Sequence, residues 1–198
     1  RHGKRRLIAA WRTICAMPGI PCVYYGDETG MGGMLDPFDR APFTTGARPL
    51  TDWYTALGKI RSAHDALSTG AAAFFAPDAD VICILRCISG RADAFGEAAA
   101  DGAFLAVINR TDWEKDLVLD LWLDNAGLTA AELAGLRAQN HTRAECLLTG
   151  ETAEISEGLL RLKLPPEFRA QIKTTAGGAF PPALHGCGNI VYVYGRTV

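Results

Sequence analysis

Tyr25, Asp27, Glu28, Asp36 and Arg40 gather carboxylates, a phenol and a guanidinium into one short stretch of the chain. Acid–base cleavage of a glycosidic bond needs two carboxyl groups about 5–9.5 Å apart across one cleft. Asp27 and Glu28 are consecutive, and neighbours at the end of a strand point to opposite sides of it, so these two do not make that pair. One is expected to accept backbone hydrogen bonds at the turn and the other to lie on the rim. In Asp36-Pro37-Phe38-Asp39-Arg40 the proline fixes the backbone after Asp36. An aspartate and an arginine four apart on such a loop converge on one hydroxylated ligand as acceptor and donor fork, or on each other as an ion pair.

Other candidates carry less chemistry. His2, His64, His141 and His185 stand far apart, with no serine or cysteine placed as a triad partner, which points to surface or core roles. Trp113 and Trp122 offer aromatic faces that stack on sugar rings or fill core gaps, and Trp122 falls on the less apolar face of its strand. The six cysteines, at 15, 22, 83, 87, 146 and 187, form no Cys-x-x-Cys pair and have no histidine at ligand spacing. No phosphate-binding glycine loop, nucleotide fingerprint or calcium-loop pattern occurs, so neither a metal nor another cofactor is implied.

The elements that must position these residues follow from hydrophobic periodicity. Between Lys4 and Met17, Leu7, Ile8, Trp11, Ile14 and Cys15 recur at helical spacing, and Pro18-Gly19 ends that helix. Ile20-Pro21-Cys22-Val23-Tyr24-Tyr25 is apolar without alternation, the pattern of a strand covered on both faces, as parallel strands are. The loop from Thr29 to about Pro49 is longer than an idle connection, and a second helix is expected from Thr51 to Ala66. Past Gly70 the period becomes two. Strands are expected near 72–76, 80–88, 103–109, 116–122, 143–148, 158–164 and 189–194, as a two-layer antiparallel sandwich requires. Thr129 and Glu132 make a capping box for a helix reaching about Ala138.

Composition bounds the rest. The 198 residues carry 20 basic and 22 acidic side chains, a net charge of −2 that supplies no basic field for nucleic acid or an anionic membrane surface. At 48% hydrophobic and 21% charged, the chain can bury a core. Its longest nearly uncharged run, Leu7 to Tyr25, is broken by Arg12, Pro18 and Pro21 and cannot make a membrane-spanning helix. Arg1 opens a basic stretch followed by a helix rather than a signal peptide, and the start reads as cut from something longer. Several cysteines sit in apolar runs, which favours a reducing compartment such as the cytoplasm, although an even count also permits disulfides.

The run Met17 to Met31, containing Pro-Gly-Ile-Pro and Tyr-Tyr-Gly-Asp-Glu, followed by Asp36-Pro37-Phe38-Asp39-Arg40, resembles the eighth-strand region of α-amylase family glycoside hydrolases, of the neopullulanase and cyclomaltodextrinase type. Leu57 to Arg61 and His64 to Gly70 resemble that family's eighth barrel helix and its exit, and Leu105 to Arg110 resembles a strand of its C-terminal domain. Gly32–Leu35 and Ala41 depart from the family pattern. The resemblance implies the following architecture: residues 1–68 form the terminal helix–strand–helix portion of a (β/α)8 TIM barrel, and 69–198 a C-terminal antiparallel β-sandwich. It implies a parent enzyme that hydrolyses α-glucosidic bonds with retention. The catalytic nucleophile and acid would lie upstream, so this chain alone would be inactive. Tyr25, Asp27, Glu28, Asp36 and Arg40 would contribute substrate contacts on one wall of the cleft. Expected partners are an α-glucan oligosaccharide in the parent, the missing N-terminal barrel segment, and a second copy of the chain. The alternative is a non-catalytic carbohydrate-binding or structural β-sandwich module.

Overall fold

A computed structural model describes residues 2–33, 40–43, 50–111, 113–124, 126–164 and 189–195. The chain begins with α1 (His2–Ala16), whose apolar stripe packs on α2 (Thr51–Ser62). Trp11 stacks on Tyr54 with ring centroids 4.5 Å apart and planes 10° from parallel. The Arg12 guanidinium lies 4.5 Å above the Trp53 ring. The single helix expected over Thr51–Ala66 is two. Its backbone turns extended at His64, and α3 (Asp65–Thr69) then drops Ala66 and Leu67 onto the sheet.

From Ala71 onward the fold is antiparallel sheet. β1 (Ala71–Asp78), β2 (Val81–Ile88), β3 (Gly102–Asn109), β4 (Lys115–Asp120), β5 (Arg143–Cys146), β6 (Thr152–Ser156), β7 (Leu159–Leu164) and β8 (Asn189–Gly195) pair in the order β1-β2-β3-β8-β5-β6-β7-β4. The sheet rolls so that its edges approach. The Phe74 N–H on β1 donates to Ala126 O beyond β4 at 2.8 Å, and Lys115 Nζ at the start of β4 reaches Asp78 at 2.7 Å and Asp80 at 3.1 Å. An edge used in this way is withdrawn from pairing with other chains. β6 has no counterpart among the strands expected from periodicity, because Thr152-Ala153-Glu154-Ile155-Ser156 buries only Ile155. The helix after Thr129 is present as α4 (Ala130–Ala138), with both hydrogen bonds of its capping box formed.

One core unites the inward faces. Val81, Cys83, Leu85 and Cys87 of β2 and Leu105 and Val107 of β3 pack in the same cluster as Leu119, Ile155, Leu160, Leu162 and Leu164. Much of the opposite face of β2 and β3 is covered by the helices: Ala16 of α1 meets Ile84 and Ala106, and α3 meets Ile88 and Phe104, while Ile82 at its far end is 51% exposed. In the centre of that face lies Arg86, 1% exposed. Its Nη1 donates to Ala16 O (3.1 Å) and Leu67 O (3.0 Å), and its Nη2 to Ser68 O (3.5 Å) and Gly70 O (2.8 Å). These carbonyls belong to the C-terminal ends of α1 and α3, where intrahelical donors run out and the dipole is negative.

The strand expected at Ile20–Tyr25 is not formed. Residues 20–24 pair with no strand among the described residues, and Ile20 is 97% exposed. A parallel interior strand is made by neighbours on both sides, and the described residues place none beside it. Among the described residues, no helix is long and apolar enough to cross a membrane.

Candidate functional site

The site is built outward from the end of α1. Pro18 and Gly19 turn the chain away, and Arg61, reaching across from α2, holds the turn. Its Nη1 donates to Cys15 O at 2.6 Å and Met17 O at 3.1 Å, and its Nη2 to Gly19 O at 2.5 Å. Burial lowers the pKa of this guanidinium, with the neighbouring Cys15 thiol acting the other way. Burial likewise pushes the Cys15 thiol up to about 11, against the pull of Arg61, so it is a neutral packing group. From this anchor Ile20–Tyr24 runs through solvent to Gly26.

Gly26 begins a tight knot. Its φ of +93° favours glycine, and a Cβ there would sit 2.5 Å from the Met31 sulfur. Asp27–Thr29 make a single 3₁₀ turn, closed by Thr29 N–H to Gly26 O (3.1 Å), Gly30 N–H to Asp27 O (3.0 Å) and Met31 N–H to Gly26 O (2.9 Å). The Glu28 carboxylate accepts from Gly26 N–H at 3.1 Å, so it braces its own turn. The Thr51 hydroxyl at the head of α2 donates to Glu28 O at 3.0 Å and moors the knot to that helix. Because a 3₁₀ turn replaces the strand end, the alternation rule does not separate Asp27 from Glu28 here. Both act on one phenol: burial first, then the charges of Asp27 and Glu28 and the Cys15 thiol, push Tyr54 up to about 12.

The structure therefore brings Tyr25, Asp27 and Glu28 together and adds the stretch that holds Arg40, since the Tyr25 hydroxyl donates to Ala41 O at 3.1 Å. Arg40 is exposed, and Asp36 lies outside the described residues. Sequence reasoning missed Thr51, Tyr54 and Arg61. Arg61 left a signal: it stands four residues after Leu57 on the apolar stripe of α2, where a charge needs partners. Among the described residues, no group of three or more His, Cys, Asp or Glu side chains converges as a metal site would.

The remaining sequence candidates take structural places. His64 precedes α3 with its ring 4.7 Å from Phe104, and His141 pairs with the Gln139 side chain at 2.8 Å; burial lowers the pKa of both. His185 and Cys187 lie outside the described residues, as do the side-chain surroundings of His2. Cys15, Cys83, Cys87 and Cys146 are buried free thiols, and Cys22 is an exposed one. Trp122 is half-buried just past β4, where Gly158 leaves room for its ring: a Cβ on that glycine would come within 2.4 Å. Trp122 also lines a small cavity with Leu85, Leu121, Leu136, His141 and Ile155.

No family model matches the chain. It is 36% identical over 105 residues to an amylopullulanase of Thermoanaerobacterium thermosulfurigenes, a match that spans 52% of this chain and 6% of that protein. Over 56 residues it is 41% identical to a cyclomaltodextrinase of a Bacillus species, covering 26% of this chain and 10% of the relative. The chain thus spans about a tenth or less of the length of these curated relatives. In fold it is similar to an Anoxybacillus α-amylase, with a TM-score of 0.68 at 19% identity, covering 98% of this chain and 33% of that one. A Geobacillus thermoleovorans α-amylase solved with acarbose gives a TM-score of 0.67, also at 19% identity, over 98% of this chain and 34% of that one. In sequence the chain is thus similar to part of these amylopullulanase and cyclomaltodextrinase chains, and in fold to part of these α-amylases.

Proposed function

We propose that the chain is the C-terminal part of an α-glucan-acting glycoside hydrolase. Residues 1–68 would close a (β/α)8 barrel, and 69–198 would form the antiparallel sandwich domain that follows it. The observation that carries this reading is the segment from Met17 to Tyr25: apolar in sequence, yet exposed at Met17, Ile20, Val23, Tyr24 and Tyr25. A segment of that composition is suited to burial between parallel neighbours. At its carboxyl end the knot at Gly26–Gly30 would sit at the mouth of a barrel, where the βα loops of that fold bind substrate. The acarbose complex of the Geobacillus α-amylase and the names of the curated relatives favour an α-glucan as that substrate.

In this reading Tyr25, Asp27, Asp36 and Arg40 present donors and acceptors to sugar hydroxyls, and Glu28 keeps the turn in shape. The nucleophilic carboxylate and the general acid of a retaining cleavage come from upstream chain, so the 198-residue piece hydrolyses nothing alone. Joining or co-expressing it with the upstream part of its gene is expected to create maltooligosaccharide hydrolysis. Asp36→Ala or Arg40→Ala should then lower kcat/KM by about 10- to 100-fold, the worth of a charged hydrogen bond to substrate. Absence of hydrolysis in the rejoined protein overturns the reading.

A further inference from the structure

Two buried arginines share the end of α1, from which the segment carrying the site departs. The last carbonyls of a helix have no intrahelical donors left, and here they are divided between two side chains. Arg61 of α2 takes Cys15 O, Met17 O and, beyond the turn, Gly19 O, while Arg86 of β2 takes Ala16 O. Arg86 also gathers Leu67 O, Ser68 O and Gly70 O where α3 passes into β1, and the Ser68 hydroxyl donates back to Arg61 O at 3.5 Å. Arg61 is 7% exposed and Arg86 1%, and among the described residues neither guanidinium has a carboxylate partner. After burial itself, the charge of Arg61 is what most lowers the pKa of Arg86, so the two stand close. Like charges buried side by side are costly, and the helix-end carbonyls stand in for counterions. The stretch is gripped a second time by α2. Ten residues before Arg61, about 15 Å along the helix, the Thr51 hydroxyl holds the knot through Glu28 O at 3.0 Å. Residues 20–25 are therefore suspended between two fixed points on one helix, although no strand stands beside residues 20–24 among the described residues.

We propose that Arg61, backed by Arg86, is the positioning residue of the candidate site: the pair fixes the point from which residues 20–25 leave α1 and, with Thr51, sets where Tyr25 and Asp27 stand before any neighbouring strand is in place. The planar fork is what the task requires. One Nη reaches two carbonyls before the Pro18–Gly19 turn and the other reaches the carbonyl of Gly19, so both sides of the turn are locked to one rigid group. A lysine would keep the charge against the helix end but offers a single nitrogen on a flexible stem. Arg86 brings the β-rich part of the molecule into the same arrangement. It holds the carbonyl that lies between two of those held by Arg61, so β2 influences the rim without touching anything bound there. The effect on substrate rests on the function proposed above, but the positioning itself does not.

Paramagnetic relaxation in the 198-residue chain reads the positioning without any hydrolysis. Cys22 lies in the suspended segment with an exposed thiol, Cys15, Cys83, Cys87 and Cys146 are buried, and Cys187→Ser removes the sixth, so a nitroxide attaches at one place. With excess untagged, isotope-free chain present, only broadening within one molecule is seen. Broadening of α2 amides is expected in the parent, and Arg61→Lys should weaken it several-fold with the circular-dichroism spectrum unchanged. Arg86→Lys should weaken it less, and the double variant little more than Arg61→Lys alone, since both act on one helix end. Absence of broadening in the parent, or equal broadening in Arg61→Lys, overturns the proposal. So does failure of Arg61→Lys to fold, which would make the fork a folding requirement. In the rejoined enzyme Arg61→Lys should raise KM for maltotetraose by about tenfold at nearly unchanged kcat, because a displaced rim loses sugar contacts. A merely structural role lowers the active fraction, and hence kcat at unchanged KM, and that result also overturns the proposal. Absence of hydrolysis in the rejoined parent counts against the function proposed above, and the nitroxide measurement then judges Arg61 alone.

Discussion

Arg86 shows how a single residue can join two parts of a fold. Its hydrogen bonds all run to main-chain carbonyls, at the ends of α1 and α3 and at Gly70. Burial, with the nearby charge of Arg61, brings its pKa down to about 10, so it stays protonated at neutral pH. The negative ends of two helices take the place of a carboxylate, and the charge is kept without an acidic partner. Arg86→Met should fill much of the volume but leave those carbonyls without donors, at about 3 kcal/mol or more of unfolding free energy. Urea denaturation measures it, and a cost under about 1 kcal/mol would show that water replaces the guanidinium. Arg86 was visible in the sequence as a lone charge between Ile84 and Ile88, but its partners were not. They are backbone atoms 16 to 70 residues away, and backbone carbonyls carry no sequence signature. The same holds at the candidate site: Asp27, Glu28 and Tyr25 could be singled out by type, whereas the mooring of the knot by Thr51 and the approach of Tyr54 depend on how α2 packs.

At the scale of elements, what could be read was what each segment determines by itself. Alternation marked β2, β4 and β7, helical spacing marked α1, and the Thr129–Glu132 pair located the start of α4. Two failures have a common cause. β6 has a single buried side chain and owes its existence to β5 and β7, and Ile20–Tyr25 has strand composition but no strand beside it among the described residues. Strand formation is a property of pairs, and neither the presence nor the absence of a partner is written in the strand. The consequence is measurable by hydrogen exchange. Amides of Ile20, Cys22 and Val23 should exchange at unprotected rates in dilute chain while those of β2 and β3 are protected, and, if the chain closes a barrel as proposed above, protection should appear when the rest of that barrel is supplied. Protection of 20–23 in dilute, isolated chain would mean the segment has already found a strand.

For the molecule as a whole, the balance lies between a well-covered β-rich body and an uncovered N-terminal arm. The body brings its sheet edges together and packs the inner face and much of the outer face of β2 and β3. The arm leaves Ile14, Met17, Ile20, Val23, Tyr24, Tyr25 and Phe43 exposed within a short length of chain. Exposed apolar side chains at this density favour association. A net charge of −2 and a pI near 6.1 provide little electrostatic repulsion against it at neutral pH. For the chain on its own, a second copy is the available cover, through strand pairing of 20–24 or exchange of the α1 arm between copies. Light scattering after size exclusion is expected to show a dimer or larger species that dissociates on dilution. The double substitution Ile20→Asp and Val23→Asp should yield monomer with an unaltered circular-dichroism spectrum, because neither side chain belongs to the packed core. A monodisperse monomer of the unsubstituted chain at about 100 μM, a concentration at which a micromolar interface is nearly saturated, would show that the arm is stable in water without a partner.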